Sequence, residues 1–186
     1  MNRTIKIAVL LLLAMPGGLF AQKWFSRDAK VYFDATTKNS PERIEATNKS
    51  GTIVVEQSSG RVEASVLIKG FLFDKSLMQE HFNENYMESS KFPKASFKGK
   101  IDNLSAVNFG QDGTYNAQIS GDLTMHGVTK PVKTTATFKV KGGKISTSAN
   151  FNVTLSDFGI DVPSVVADKL AKEAKISFAG DLAKMN

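Results

Sequence analysis

The chain has 186 residues, with 24 Lys plus Arg against 18 Asp plus Glu, a formal net charge of +6, 41% hydrophobic residues and no cysteine. That length suits a single domain with its own core, and the missing cysteine excludes a disulfide framework, a thiolate zinc site, a thiol nucleophile and a cysteine-linked lipid anchor on this chain. Phe numbers 13 against 3 Tyr and 1 Trp, so most of the aromatic surface lacks a hydrogen-bonding handle and suits an apolar interior or an apolar ligand.

Arg3 and Lys6 precede the apolar run from Ile7 to Met15, and Pro16-Gly17-Gly18 breaks that run before Leu19-Phe20-Ala21. Charged, apolar and small residues in this order make a secretory signal peptide, and the apolar run is about half of the roughly 20 residues that a spanning helix needs. Residues 1–21 are therefore expected to be cleaved after Ala21. Residues 22–186 then form one domain outside the cytoplasm, with a charge of +4 once Arg3 and Lys6 are lost.

From there the chain reads as strands. Apolar and polar side chains alternate with a period of two, the mark of a strand with one buried face. The alternation runs through Val31, Phe33 and Ala35, then Ile53 and Val55, then Val62, Ala64, Val66 and Ile68. After an interruption it resumes at Ala95, Phe97 and Ile101, and continues through Tyr115, Ala117, Ile119, Leu123 and Met125. Three further runs are Val132, Ala136, Phe138 and Val140; Ala149, Phe151, Val153 and Leu155; and Ile176, Phe178 and Leu182. Ser58-Ser59-Gly60, Gln111-Asp112-Gly113 and Gly142-Gly143 separate runs with turn residues. About eight strands with one apolar face must close into a barrel or stack as a sandwich, and closure leaves no exposed edge.

Two segments change period. Met78, Phe82 and Tyr86 recur every four residues between Asp74 and Ser90, with Asp74 as the expected cap and Pro93 beyond the end, which predicts a helical insertion. Val166, Ala167, Leu170 and Ala171 follow Pro163 and Ser164, which predicts a short C-terminal helix. Both stripes read as faces that close or plug one end of the barrel, or as a lid over an opening.

The chemistry-bearing residues are few. His81 and His126 are the two histidines, and neither has a second histidine or carboxylate at a metal-ligand spacing. No serine stands in a nucleophile elbow and no glycine-rich loop leads into a helix, so no enzyme, metal or cofactor is expected. Lysines are spread over alternate strand positions among acidic residues, whereas nucleic acid asks for a basic face with interleaved aromatics. A non-nucleic-acid protein is expected, with weak attraction to an anionic membrane surface left open.

The interior is the informative part. Ala64, Ala117, Ala136 and Ala149 share inward faces with Phe97, Phe138, Phe151 and Phe178. An eight-stranded barrel can either fill with its own side chains or hold one small ligand. About ten buried methylenes of an apolar chain, at about 0.8 kcal/mol each, would contribute roughly 8 kcal/mol before association costs.

The run Gly121-Asp122-Leu123-Thr124-Met125-His126-Gly127-Val128-Thr129-Lys130-Pro131-Val132 resembles the signature of the YceI-like, polyisoprenoid-binding family. Lys91-Phe92-Pro93-Lys94-Ala95-Ser96-Phe97 and the Asp157-Phe158-Gly159-Ile160 turn resemble that family too. The resemblance implies an all-β, eight-stranded antiparallel lipocalin-like barrel with a helical insertion, exported to the periplasm, holding a long isoprenoid, quinone or related amphiphile. Many members carry an Arg shortly before the Asp-aromatic-Gly turn, where this chain has Leu155 and Ser156. His126 reads either as a turn residue serving the fold or as a ligand contact.

Together these readings give a periplasmic, non-enzymatic binder or carrier of a polyisoprenoid, quinone or other long-chain lipid. Its expected lining is Phe71, Phe73, Met78, Phe82, Tyr86, Phe97, Ile119, Met125, Phe138, Phe151 and Phe178. Two rivals stand beside it: a stress-related structural or interaction module with no bound ligand, and a lipid-modifying enzyme seeded by Tyr115 or His126. Pairing of two chains into a homodimer stays open.

Overall fold

A computed structural model describes residues 22–185, so the expected signal segment lies outside the described residues. The chain forms eight strands: β1 (Lys23–Thr36), β2 (Glu45–Glu56), β3 (Arg61–Leu67), β4 (Lys94–Ile101), β5 (Gly113–Met125), β6 (Val128–Lys141), β7 (Lys144–Thr154) and β8 (Leu170–Met185). Each pairs antiparallel with its neighbour in sequence, and β8 pairs back onto β1 from Lys23↔Met185 to Thr36↔Leu170, closing the barrel. All eight alternating runs fall on these strands. Only Ile68 and Leu155 stand just past a strand end, in single 3₁₀ turns over Ile68–Gly70 and Leu155–Phe158.

Turn chemistry sets the strand register. Gly142 and Gly143, at φ 57° and 75°, join Lys141 to its partner Lys144, as a two-residue hairpin loop with both central residues left-handed requires. His126 and Gly127 do the same between Met125 and Val128, at φ 52° and 75°. In β1 the register shifts between Ser26 and Ala29 and again before Val31. That bulge buries both Ser26 and Ala29 and breaks the strict alternation.

Two apolar clusters occupy the barrel. One lies at the end that holds Ile53, Val55, Ile101, Phe109, Phe138, Ile145 and Leu182. There the loop after β4 folds in and Phe109 meets Phe138 edge-on, with ring centroids 5.4 Å apart. Toward the other end Phe71, Phe82, Met87, Leu155, Phe158 and Ile160 form a second cluster under the helical insertion.

The insertion departs from the predicted helix in two ways. Helix α1 covers Ser76–His81 and passes directly into a π-helical turn over Phe82–Tyr86. Its N-cap position is Lys75, with no side-chain cap, so Asp74 does not cap it. The wider turn closes through the Met87 amide donating to the Phe82 carbonyl at 2.9 Å, five residues back, which draws Met87 into the core beside Phe82.

The predicted short C-terminal helix is one 3₁₀ turn, Ser164–Val166, and Leu170 and Ala171 begin β8 instead. A stripe this short has little helical stability of its own. The chain after it is held extended by Thr36↔Leu170 pairing, by Thr37 Oγ1 donating to the Asp168 carbonyl at 2.7 Å, and by Ser40 Oγ donating to the Lys169 carbonyl.

Candidate functional site: an apolar chamber and its vestibule

The inward faces of the strands surround a cavity of about 170 Å³. Phe71, Phe82, Phe97, Ile119, Met125, Phe138, Phe151 and Phe178 line it, with the small side chains Ala64, Ala136 and Ala149 leaving the room. Of the expected lining residues, Phe73, Met78 and Tyr86 lie elsewhere. They line a second space of about 210 Å³ between α1, the β1–β2 loop and the start of β8, together with His81, Glu42 and Lys169.

Phe33, Phe82, Met87, Leu155 and Ile160 line both spaces and so form the partition between inner chamber and vestibule. Phe82 is its centre. Its ring lies 5.7 Å from Phe33, 5.6 Å from Phe71 and 5.0 Å from Phe73, all tilted or edge-on. The sequence reading missed four partition residues. Phe33 and Leu155 were visible as inward strand positions, but Met87 arrives only through the π turn. Ile160 arrives through the left-handed Gly159 (φ 68°), with the Ile160 amide donating to the Leu155 carbonyl at 3.1 Å.

One wall is shaped by missing side chains. Gly99 and Gly121 are cross-strand partners on β4 and β5, at positions whose neighbours Phe97, Ile101, Ile119 and Leu123 point inward. A Cβ on Gly99 would come within 2.6 Å of the Phe97 ring, and one on Gly121 within 2.8 Å. Phe97 therefore lies down over the two glycines instead of standing into the chamber.

Among the described residues no ionisable side chain lines the inner chamber. Charges gather at the vestibule, where the ion pair of Lys75 with Glu42 ties the start of α1 to the β1–β2 loop. The expected enzymatic seeds lie outside both spaces: Tyr115 donates its hydroxyl to the Gln111 carbonyl at 2.9 Å, and His126 is engaged in the turn. Its Nδ1 lies 3.0 Å from the Phe158 carbonyl and its Nε2 2.9 Å from Glu88 Oε2, with the Phe92 ring edge-on at 4.7 Å. A carbonyl only accepts, so Nδ1 is the donor to Phe158. Among the described residues no group of three His, Asp or Glu could hold a metal ion.

Known proteins share this fold. The chain is 38% identical over 92 residues to a UPF0312 protein of Pseudomonas putida (strain GB-1), covering 46% of this chain and 44% of that protein. It is 36% identical over 104 residues to a UPF0312 protein of Pseudomonas savastanoi, covering 53% and 50%. The chain thus spans about half the length of the curated relatives it matches. Among solved structures, a polyisoprenoid binding domain from Saccharophagus degradans superposes with a TM-score of 0.74 at 9% identity, over 89% of this chain and 99% of that one. Burkholderia cenocepacia BcnA superposes with a TM-score of 0.67 at 17% identity, over 83% and 96%. At these identities the likeness is one of fold. The YceI-like domain is matched over residues 26–182, and the chain belongs to the YceI-like family.

Proposed function

We propose that this protein is an exported, non-enzymatic binder and carrier of a long apolar lipid, a polyisoprenoid or quinone-type chain, held in the inner chamber and reached through the vestibule. The observation that carries this reading is a closed barrel with an apolar chamber that no ionisable side chain of the described residues lines, beside a partition that is wholly apolar. Such a space favours transfer of methylenes from water and offers nothing to a polar reaction. The Saccharophagus degradans domain of the same fold, named for polyisoprenoid binding, supports the ligand class. The charged, apolar and small-residue order of residues 1–21 supports export to the periplasm.

Filling the chamber tests the reading. Ala149→Phe puts a ring beside Phe151 and Phe178 in space that Ala149 leaves open. A folded A149F protein is expected to lose at least tenfold in affinity for a long-chain isoprenoid. Unchanged affinity in a variant that still melts cooperatively would show that the lipid binds elsewhere.

A further inference from the structure

Among the described residues five large apolar side chains are left exposed: Leu67, Leu72, Leu77, Val165 and Met185. Scattered singly, such residues need no explanation. Four of the five gather at one end. Leu67 closes β3 and leads into the insertion, Leu72 and Leu77 belong to the insertion, and Val165 lies in the 3₁₀ turn before β8. Met185 ends β8 at the opposite end, paired with Lys23. Each of the four is also a chain neighbour of a residue that lines the path to the interior: Ile68 and Phe71 line the chamber, while Phe73, Met78 and Val166 line the vestibule. Leu77, 60% exposed, follows this pattern on α1 beside Met78, and Val165, 80% exposed, follows it on the other side of the vestibule beside Val166. Neither lines the chamber or the vestibule. Apolar surface thus continues from the chamber through the vestibule to the outside of the molecule.

Resting on the lipid-binding reading, we propose that this rim is a membrane-docking surface: Leu77 and Val165 enter the interface of an electrically neutral phospholipid bilayer and seat the vestibule on it. Two observations select a bilayer as the occupant. The first is the continuity of apolar surface. A long chain passing from a bilayer to the chamber would otherwise cross water, and each methylene left wet slows that passage by about fourfold. The second is charge. Segments 37–44, 68–93 and 155–172, which build this end, hold seven Lys and Arg against eight Asp and Glu, although residues 22–186 together carry +4. Asp74, Glu80 and Glu84 of the insertion, with Asp161 and Asp168 flanking Val165 in the chain, oppose an anionic surface. The basic excess lies on the rest of the barrel, so the docking is apolar rather than electrostatic.

The test compares wild type, the double variant Leu77→Glu/Val165→Glu and the control Met185→Glu, whose exposed apolar side chain lies at the far end. All three are mixed with vesicles of phosphatidylcholine and with vesicles in which part of it is replaced by phosphatidylglycerol. Co-sedimentation with vesicles reads docking without any isoprenoid, and the rate at which a fluorescent isoprenoid passes from protein to vesicle reads its consequence. The expected result is that L77E/V165E binds phosphatidylcholine vesicles about tenfold more weakly and transfers correspondingly more slowly. M185E should match wild type in both, and phosphatidylglycerol or added salt should change little. Because both glutamates replace exposed side chains outside the two spaces, the melting temperature and the affinity for the isoprenoid in solution should stay as in wild type. Unchanged vesicle binding in L77E/V165E, or equal loss in M185E, would overturn the docking surface. So would binding that needs phosphatidylglycerol and vanishes in salt, or a wild-type dimer that L77E/V165E dissociates, which would put a second copy on this face. If wild type binds the isoprenoid in solution but no vesicle, the docking surface alone falls. If it binds vesicles through Leu77 and Val165 but no isoprenoid, the lipid-binding reading falls and the membrane contact stands.

Discussion

His126 and Glu88 are the two non-glycine residues of the described chain with positive φ, 52° and 40°, and they are hydrogen-bonded to each other, Nε2 to Oε2 at 2.9 Å. Each ends a segment: Glu88 closes the π turn of the insertion and His126 opens the β5–β6 hairpin. Through Nδ1 the same imidazole holds the Phe158 carbonyl. One ring thereby joins the insertion, the β5–β6 turn and the turn after β7, the three segments that carry Met87, Met125 and Ile160 to the chamber.

His126→Ala is expected to destabilise the fold by about 2 kcal/mol, the scale of a hydrogen bond to a charged group together with a buried partner left unpaired. For a domain of this size that is a fall of roughly 4–8 °C in the melting temperature. Lipid selectivity should not change. Thermal melts with and without bound lipid check this; weakened binding with an unchanged melt would instead make His126 a ligand contact.

Phe82→Ala removes the ring at the centre of the partition. A loss of about 3–4 kcal/mol is expected from cavity formation in the core, and lipid should dissociate faster because the two spaces merge. Stopped-flow transfer of a fluorescent isoprenoid to acceptor vesicles measures the second effect, and an unchanged transfer rate would deny Phe82 a gating position.

Gly121→Ala places a methyl group 2.8 Å from the Phe97 ring, against backbone on its other side. Overpacking of this kind costs about 1–3 kcal/mol and here should also push Phe97 into the chamber. Reduced lipid capacity together with a lower melting temperature is the expected pair of results.

On the outer face, Glu45 accepts a hydrogen bond from the Tyr32 hydroxyl and is bonded by Arg43 Nε at 2.7 Å. These contacts, the Tyr32 bond first, hold its carboxyl below the ordinary glutamate value of 4.5. A depressed value in the folded state stabilises above the unfolded value and is lost as pH falls through the folded one. The stability difference between wild type and Glu45→Gln should therefore be constant near neutrality, begin to shrink below about pH 4.5 and disappear in stronger acid. Urea midpoints from pH 7 to pH 3 check the direction; a difference that grows in acid would contradict it.

The strands were legible because a barrel imposes one rule, apolar inward and polar outward, on every residue of Val62–Val66, Ala117–Ile119 or Phe151–Val153 alike. The bulge at Ser26–Ala29 was not, since Ser26 is polar and buried by the geometry of its two neighbouring strands. Met78, Phe82 and Tyr86 announced a helix, but a spacing of four does not distinguish an α from a π turn, and so Met87 stayed hidden. The stripe after Pro163 has helical spacing, yet pairing with β1, many residues away, claims its second half for β8. The inward aromatics were readable one by one. The division into chamber and vestibule was not, because it depends on Phe82 meeting Phe33, Phe71 and Phe73, which come from separate parts of the chain.

The central claim is that the barrel holds a long apolar chain. Its most direct test is solvent extraction of the protein purified from its native host without detergent, followed by mass spectrometry of the extract and native mass spectrometry of the protein. The expected result is one neutral isoprenoid or quinone-type lipid per chain, lost in Ala149→Phe. A protein that carries no lipid in its native host and binds none when offered, with its chamber filled by its own side chains, would contradict the account.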